Sequence, residues 1–190
     1  AAPINWAVLN GDEVSGVTIM DMAHELDAGD IIRQVSTPVS RTETAQELYD
    51  RLAQLGGKLL VETVTAIADG TAQRTPQDPT EVTLAPMLSR ELSPIDWTRT
   101  AAQIHDQVRG LLPWPVASTD LFCGDKVKIF TTIETEDKTG KEPGTILRAD
   151  KAGIDVACGG GTVLRITELQ APGSRRMAAA DYLQGHPITV

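Results

Sequence analysis

Residues 71–87 constrain this chain more than any other stretch. Apolar periodicity is regular on both sides and fades within it, and Pro76, Pro79 and Pro86 stand there among polar side chains. Prolines at that density interrupt both helix and sheet, so the composition is that of a linker. A linker here divides the 190 residues into two units, 1–85 and 86–190, each large enough for a modest core. Charge divides along similar lines. The 17 Lys and Arg against 26 Asp and Glu give a net −9, and most of the acid lies before the linker: residues 1–80 carry Arg33, Arg41, Arg51, Lys58 and Arg74 as their only bases. A net acidic chain does not coat nucleic acid indiscriminately, but the nearly neutral second unit leaves room for a local basic surface.

Two cysteines, Cys123 and Cys158, are too few and too far apart for a disulfide framework or a zinc knuckle. They point to a reduced, cytoplasmic protein. No apolar run approaches the roughly 18 residues of a membrane span, and the start lacks the basic-then-apolar order of a signal peptide. The chain opens at Ala1-Ala2-Pro3 without an initiator Met, in what reads as the entry to a helix, so Ala1 is not expected to be the natural first residue.

Pro3 suits the first turn of a short helix with Ile4, Trp6 and Leu9 on one side and Asn10-Gly11 as its stop. Gly16 to Met22 reads as a strand apolar on both faces, hence buried in a layered sheet. The turn 26–30 and a second strand, Ile31 to Val39, follow. Thr44-Ala-Gln-Glu47 is a capping box, and helical spacing from Leu48 to Ile67 predicts two consecutive helices broken at Gly56-Gly57 and stopped at Asp69-Gly70. Thr100-Ala-Ala-Gln103 opens another helix, with Ile104, Val108 and Leu111 inward. Beyond it, short runs at 116–122, 127–133, 144–147, 154–158 and 162–169, punctuated by glycines, predict a small barrel, with a terminal helix over 177–184.

Asp27 is the foremost candidate for chemistry, because it lies in the loop between two apolar strands, where α/β proteins commonly bind ligands. An Asp there either transfers protons or merely bonds the amides of its own turn. Gly159-Gly160-Gly161-Thr162 lacks the Lys and following helix of a phosphate loop and reads as a hairpin turn. His24, His105 and His186 are too scattered for a metal site or a catalytic triad. Trp114, between Pro113 and Pro115, reads as a buried anchor rather than a platform for a base. Lys126, Lys128, Arg148, Lys151, Arg165, Arg175 and Arg176 form a phosphate-binding patch only if folding gathers them.

Taken in order, Ala1-Ala2-Pro3-Ile4, Gly16-Val17-Thr18-Ile19-Met20, Leu26-Asp27-Ala28-Gly29-Asp30, Ile95-Asp96-Trp97, Pro113-Trp114-Pro115, Pro143-Gly144-Thr145-Ile146 and Leu169-Gln170-Ala171-Pro172-Gly173 through Met177 span nearly the whole chain. This combination resembles the methionyl-tRNA formyltransferases without their N-terminal part. The loop at 26–30 fits any folate-dependent formyltransferase, and the later motifs narrow the resemblance to the tRNA enzymes.

The resemblance implies a partial Rossmann-like α/β catalytic domain over 1–85, linker included, followed by an OB-like β-barrel over 86–190 that binds tRNA. It implies transfer of a formyl group from 10-formyltetrahydrofolate to the amino group of initiator methionyl-tRNA, by a monomeric intact enzyme that uses no metal and no membrane. Asp27 matches the family's catalytic Asp, and Glu25, Leu26 and Asp27 fall in its folate-binding loop. The partnering Asn and His, and a Ser-Leu-Leu-Pro folate loop, belong to a segment preceding Ala1, so this chain alone is expected to be inactive. Lys126, Lys128, Arg165, Arg175 and Arg176 are the implied tRNA contacts, although Ser174 and two arginines stand where the family often has lysines. Two other readings are a sugar-nucleotide formyltransferase and a non-catalytic RNA-binding remnant. A catalytic domain so shortened is expected to leave strand edges and apolar surface uncovered.

Overall fold

A computed structural model describes residues 2–122 and 124–188; Ala1 and Cys123 lie outside the described residues. Helix α1 (Pro3–Leu9) begins on Pro3, whose missing N–H is no loss in a first turn. Strands β1 (Val14–Met20) and β2 (Ile31–Pro38) pair antiparallel, with Val17 opposite Val35. The strand expected to be buried on both faces alternates instead. Ser15, Val17 and Ile19 are half-buried while Val14, Gly16 and Thr18 are exposed, because this sheet has two strands and is packed on one side.

Helix α2 (Ala45–Ala68) supplies that packing and corrects the expectation of two helices, for it runs unbroken through Gly56-Gly57. Neither glycine interrupts the helical hydrogen bonds, and Gly56 has a packing role: a Cβ there would lie 3.3 Å from a methyl of Val17. The helix starts on the capping box of Thr44 and Glu47 and ends at Asp69, with Gly70 at φ +70°. Val8, Val39, Ala45, Leu48 and Leu52 form the first core. Farther along α2, Leu60, Val61, Val64 and Ile67 remain exposed. The expected uncovered apolar surface is present.

Among the described residues, 71–99 hold two short 3₁₀ turns, Pro79–Glu81 and Arg90–Leu92, and isolated bridges from Thr75 to Ile31 and from Pro94 to Ser118. Helix α3 (Ala101–Gly110) follows, capped by Thr100 and Gln103. The second core packs it against a six-stranded antiparallel sheet of β3 (Ala117–Thr119), β4 (Val127–Lys138), β5 (Ile146–Asp150), β6 (Gly153–Ala157), β7 (Thr162–Gln170) and β8 (Met177–Ala178). Helix α4 (Ala179–Gly185) closes the chain, two residues later than the expected start because Met177 and Ala178 pair with β7.

The sheet order is β3-β4-β7-β6-β5, and β3 does not pair with β5, so the expected barrel is not closed among the described residues. The free edge of β3 is already used: Ser118 N–H donates to Ser93 O (2.7 Å) and Ile95 N–H to Ser118 O (2.8 Å). A three-residue strand with both edges satisfied has no groups left for a closing partner. Gly159–Gly161 makes the turn between β6 and β7, as its composition predicts, and the amide of Gly159 reaches the carbonyls of Trp97 and Arg99.

The two cores meet through α1 and α3. Asn5 Nδ2 donates to Gly110 O (2.8 Å), and a Cβ on Gly110 would sit 2.8 Å from Leu9 Cγ, so the glycine permits the helices to touch. His105 bridges the same seam, Nε2 lying 2.9 Å from Arg41 O and Nδ1 2.9 Å from Thr132 Oγ1. A carbonyl only accepts, so Nε2 carries a proton.

Candidate active-site loop and basic cleft

The loop that joins β1 to β2 holds Asp27, and its geometry follows from two closures. At its base Asp21 N–H donates to Asp30 O (2.9 Å), and a Cβ on Gly29 would fall 1.7 Å from Asp21 O, so no residue but glycine allows the two arms to approach this closely. From outside, the first residues after α2 grip the loop. Arg74 pairs with Asp21 at 2.6 Å, Ile31 and Thr75 exchange backbone hydrogen bonds of 2.8 and 2.9 Å, and Gln77 Nε2 donates to both Asp27 O and Gly29 O at 2.8 Å.

Asp27 itself has φ +55°, a left-handed conformation that Asp tolerates better than most side chains. Among the described residues, its carboxylate has no hydrogen-bond or ion-pair partner. The reading in which Asp27 merely satisfies its own turn therefore lacks its hydrogen bonds, since a side-chain amide, Gln77, does the holding instead. Glu25, Leu26 and His24 are exposed beside it, and Leu26 and Met22 are almost wholly open. Gln77 escaped the sequence reading because it sits in the aperiodic linker, 50 residues from Asp27.

The basic candidates divide into groups. Ser118 pairs with Lys128 across β3 and β4, and strand alternation puts Lys126 and Lys128 on one face while Val127 and Ile129 are buried on the other. Arg176 lies over the Phe130 ring, 4.6 Å from its centroid, and is ion-paired to Glu168. That hydrogen bond holds the Glu168 carboxyl below its ordinary value. Arg175 is exposed beside it.

Arg165 stands apart. It lies five positions before Gln170 on β7, which pairs with Lys128, and it is spent on a bidentate pair with Asp155 at 2.6 and 3.0 Å. Arg148 joins the same carboxylate at 2.7 Å. Burial nevertheless raises the Asp155 carboxyl, and the Arg148 charge acts in the opposite direction.

Trp114 is not the buried anchor expected. Its side chain is 49% exposed, with cis peptide bonds preceding Pro113 and Pro115. The burial falls on Pro115 instead.

Comparison with known proteins follows this division. Residues 87–187 match the family described as formyl transferase, C-terminal domain, and residues 1–64 match the formyl transferase family. A methionyl-tRNA formyltransferase of Acetivibrio thermocellus is 43% identical over 189 residues, covering 99% of this chain and 60% of that protein's length. The chain thus spans about 60% of the curated relatives it matches. Among solved structures, HypX from Aquifex aeolicus in complex with tetrahydrofolic acid aligns at a TM-score of 0.71 and 22% identity, over 100% of this chain and 33% of that one. An N-formyltransferase from Helicobacter canadensis, in complex with folinic acid and dTDP-3-aminofucose, aligns at 0.68 and 20%, over 87% of this chain and 60% of that one. These two show a shared fold, and the sequence matches go further: the chain belongs to the formyl transferase family.

Proposed function

We propose that the chain is part of a methionyl-tRNA formyltransferase that moves a formyl group from 10-formyltetrahydrofolate to the amino group of initiator methionyl-tRNA in the cytoplasm. The observation that carries the chemistry is the exposed, unpartnered Asp27 carboxylate on a loop held by Gln77. The 43% identity to a protein named for that activity supports the choice of acceptor.

In this reading residues 1–85 belong to the catalytic domain and residues 86–190 to a tRNA-holding domain. The attacking amine loses a proton as its nitrogen bonds the formyl carbon, and the folate nitrogen gains one as its own bond to that carbon breaks. Asp27, whose carboxylate is committed to no donor among the described residues, takes and returns that proton directly or through water. Glu25 and Leu26 offer the folate an exposed main chain and an apolar side chain beside the carboxylate. Oxyanion stabilisation needs donors that loop 21–30 does not bring to the carboxylate, and the Asn and His implied by the resemblance supply it from the rest of the intact protein. No step calls for a metal.

The test is Asp27→Asn in the full-length gene product, assayed for N-formylmethionyl-tRNA. The expected outcome is a loss of turnover of roughly 10²- to 10⁴-fold with tRNA affinity retained. Unchanged turnover overturns the role of Asp27. Formylation of an amino-sugar nucleotide but not of methionyl-tRNA assigns the protein to the sugar-modifying branch instead, and binding of RNA without either activity leaves a non-catalytic remnant.

A further inference from the structure

Beside β3 and β4 lies a cleft of about 400 Å³ whose walls include Arg90, Trp114, Val116, Ser118, Lys126 and Lys128. That volume is within the range of small-ligand sites, roughly 300–1,000 Å³. Arg90, Lys126 and Lys128 have no carboxylate partner among the described residues, in contrast to Arg165 and Arg176. Three unpaired cations around one concavity repel each other, and an anion relieves that repulsion. Ser118 is 2% exposed, and its hydroxyl has no hydrogen-bond partner among the described residues. Val116 adopts φ +70°, a conformation that a β-branched residue holds only when its surroundings impose it.

Trp114 adds an aromatic face to this charged concavity, half-exposed and backed by the buried Pro115. An aromatic face with cations beside it takes a base and its phosphates together. The ring has to reach the face of a base, which a base inside a duplex does not offer. Stacking on an aromatic face tolerates any base, because every base has a π-face. We propose that the cleft is a subsite for one unpaired nucleotide of an RNA strand, the base stacked on Trp114 and its flanking phosphates between Arg90, Lys126 and Lys128. The proposal rests on the functional reading above only for which RNA supplies the strand; the cleft stands without Asp27.

The 190-residue chain is titrated with a short single-stranded RNA, a blunt RNA duplex and a nucleoside monophosphate, following tryptophan fluorescence. The expected result is quenching by the single strand that disappears in Trp114→Phe, with affinity about tenfold or more weaker in Trp114→Ala. Lys126→Ala with Lys128→Ala is expected to flatten the log–log salt slope for the single strand by about 1.4. Trp114→Phe keeps a ring and guards against a misfolded alanine variant, and the lysine pair is at the surface. Equal single-strand affinity in Trp114→Ala and the parent, with matching circular dichroism, overturns the proposal. Equal quenching by duplex, or tighter binding of the monophosphate than of the strand, also overturns it. Because none of these readouts involves formyl transfer, a failure of the catalytic reading leaves them interpretable.

Discussion

Asp106 and Arg109 face each other one turn apart on α3, with 2.8 Å between carboxylate and guanidinium and less than a tenth of either side chain exposed. The pair is internal to one helix, yet its remaining bonds cross to the other core: Arg109 Nη1 donates to Ser40 O and Glu43 O, both at 3.0 Å. Arg41, from the same corner, reaches Asp106 at 3.2 Å and Glu134 at 2.7 Å. A buried carboxylate and a guanidinium fork thus join two cores that the linker connects only covalently.

Removing the guanidinium leaves the buried Asp106 with only the half-exposed Arg41 and frees two carbonyls. Arg109→Met is expected to destabilise the chain by about 3 kcal/mol, the lower end for breaking a buried pair from one side, because Arg41 still faces the carboxylate. Urea unfolding checks this, and Asp106→Asn combined with Arg109→Met is expected to recover part of the loss, since no unpaired charge remains.

Gln77 holds the carbonyls on either side of Ala28, so Gln77→Ala releases the Asp27 loop without touching its carboxylate. About 1–2 kcal/mol of local stability is expected to go with two hydrogen bonds. Hydrogen exchange reads it as faster exchange of the Asp21 amide, which bonds Asp30. In the full-length protein the same change is expected to lower turnover through disorder of the loop, and Gln77→Glu, which removes the donor at similar size, is expected to do likewise.

Glu168 and Arg176 link β7 to the segment ahead of β8, and the bond to Arg176 depresses the Glu168 carboxyl from its usual 4.5. A depressed carboxylate stabilises the fold above its unfolded pKa and loses that contribution as pH falls through the folded one. The share of the stability difference between the parent and Arg176→Ala that comes from the ion pair is therefore expected to be full near neutrality and to be lost as the solution is acidified below about pH 4.5, leaving the contact with Phe130. Carboxyl NMR titration is expected to place Glu168 higher in the variant.

The same pair bears on the salt response of the proposed tRNA binding. Arg175, exposed and without an ion-pair partner among the described residues, is expected to contribute about 0.9 to that slope, whereas Arg176→Ala is expected to change it less, because Glu168 already neutralises that arginine. Filter binding across a salt series separates the two.

Cys158 is 1% exposed, and burial pushes its thiol up to about 11. Thiolate is the reactive form, so alkylation of Cys158 at pH 8 is expected to require unfolding. Peptide mapping after iodoacetamide treatment, with and without urea, checks this residue directly.

Local chemistry was legible in the chain. The capping boxes at Thr44 and Thr100 place both helix starts, the spacing of Ile104, Val108 and Leu111 marks the face that is buried, and the glycine-punctuated runs mark the strands of the second sheet. The position of Asp27 in a loop between strands was also plain, because turn residues and apolar runs are near neighbours in sequence. Periodicity misled where a contact from elsewhere decided the outcome. Gly56 reads as a break and is instead the surface on which Val17 packs, while a closed barrel fails because Ser93 and Ile95 occupy the edge of β3.

What the sequence determined by itself, then, is whatever depends on residues a few positions apart: caps, turns, strand alternation and the family-like order of motifs. Tertiary structure alone decided which charges are free. Arg165 and Arg176 are matched with Asp155 and Glu168, Lys126 and Lys128 join Arg90 and Trp114 in one cleft, and Gln77 reaches Asp27 across 50 positions. The reason is physical: Coulomb and hydrogen-bond energies fall off over a few ångströms of space, and the linear order of a chain does not record that distance.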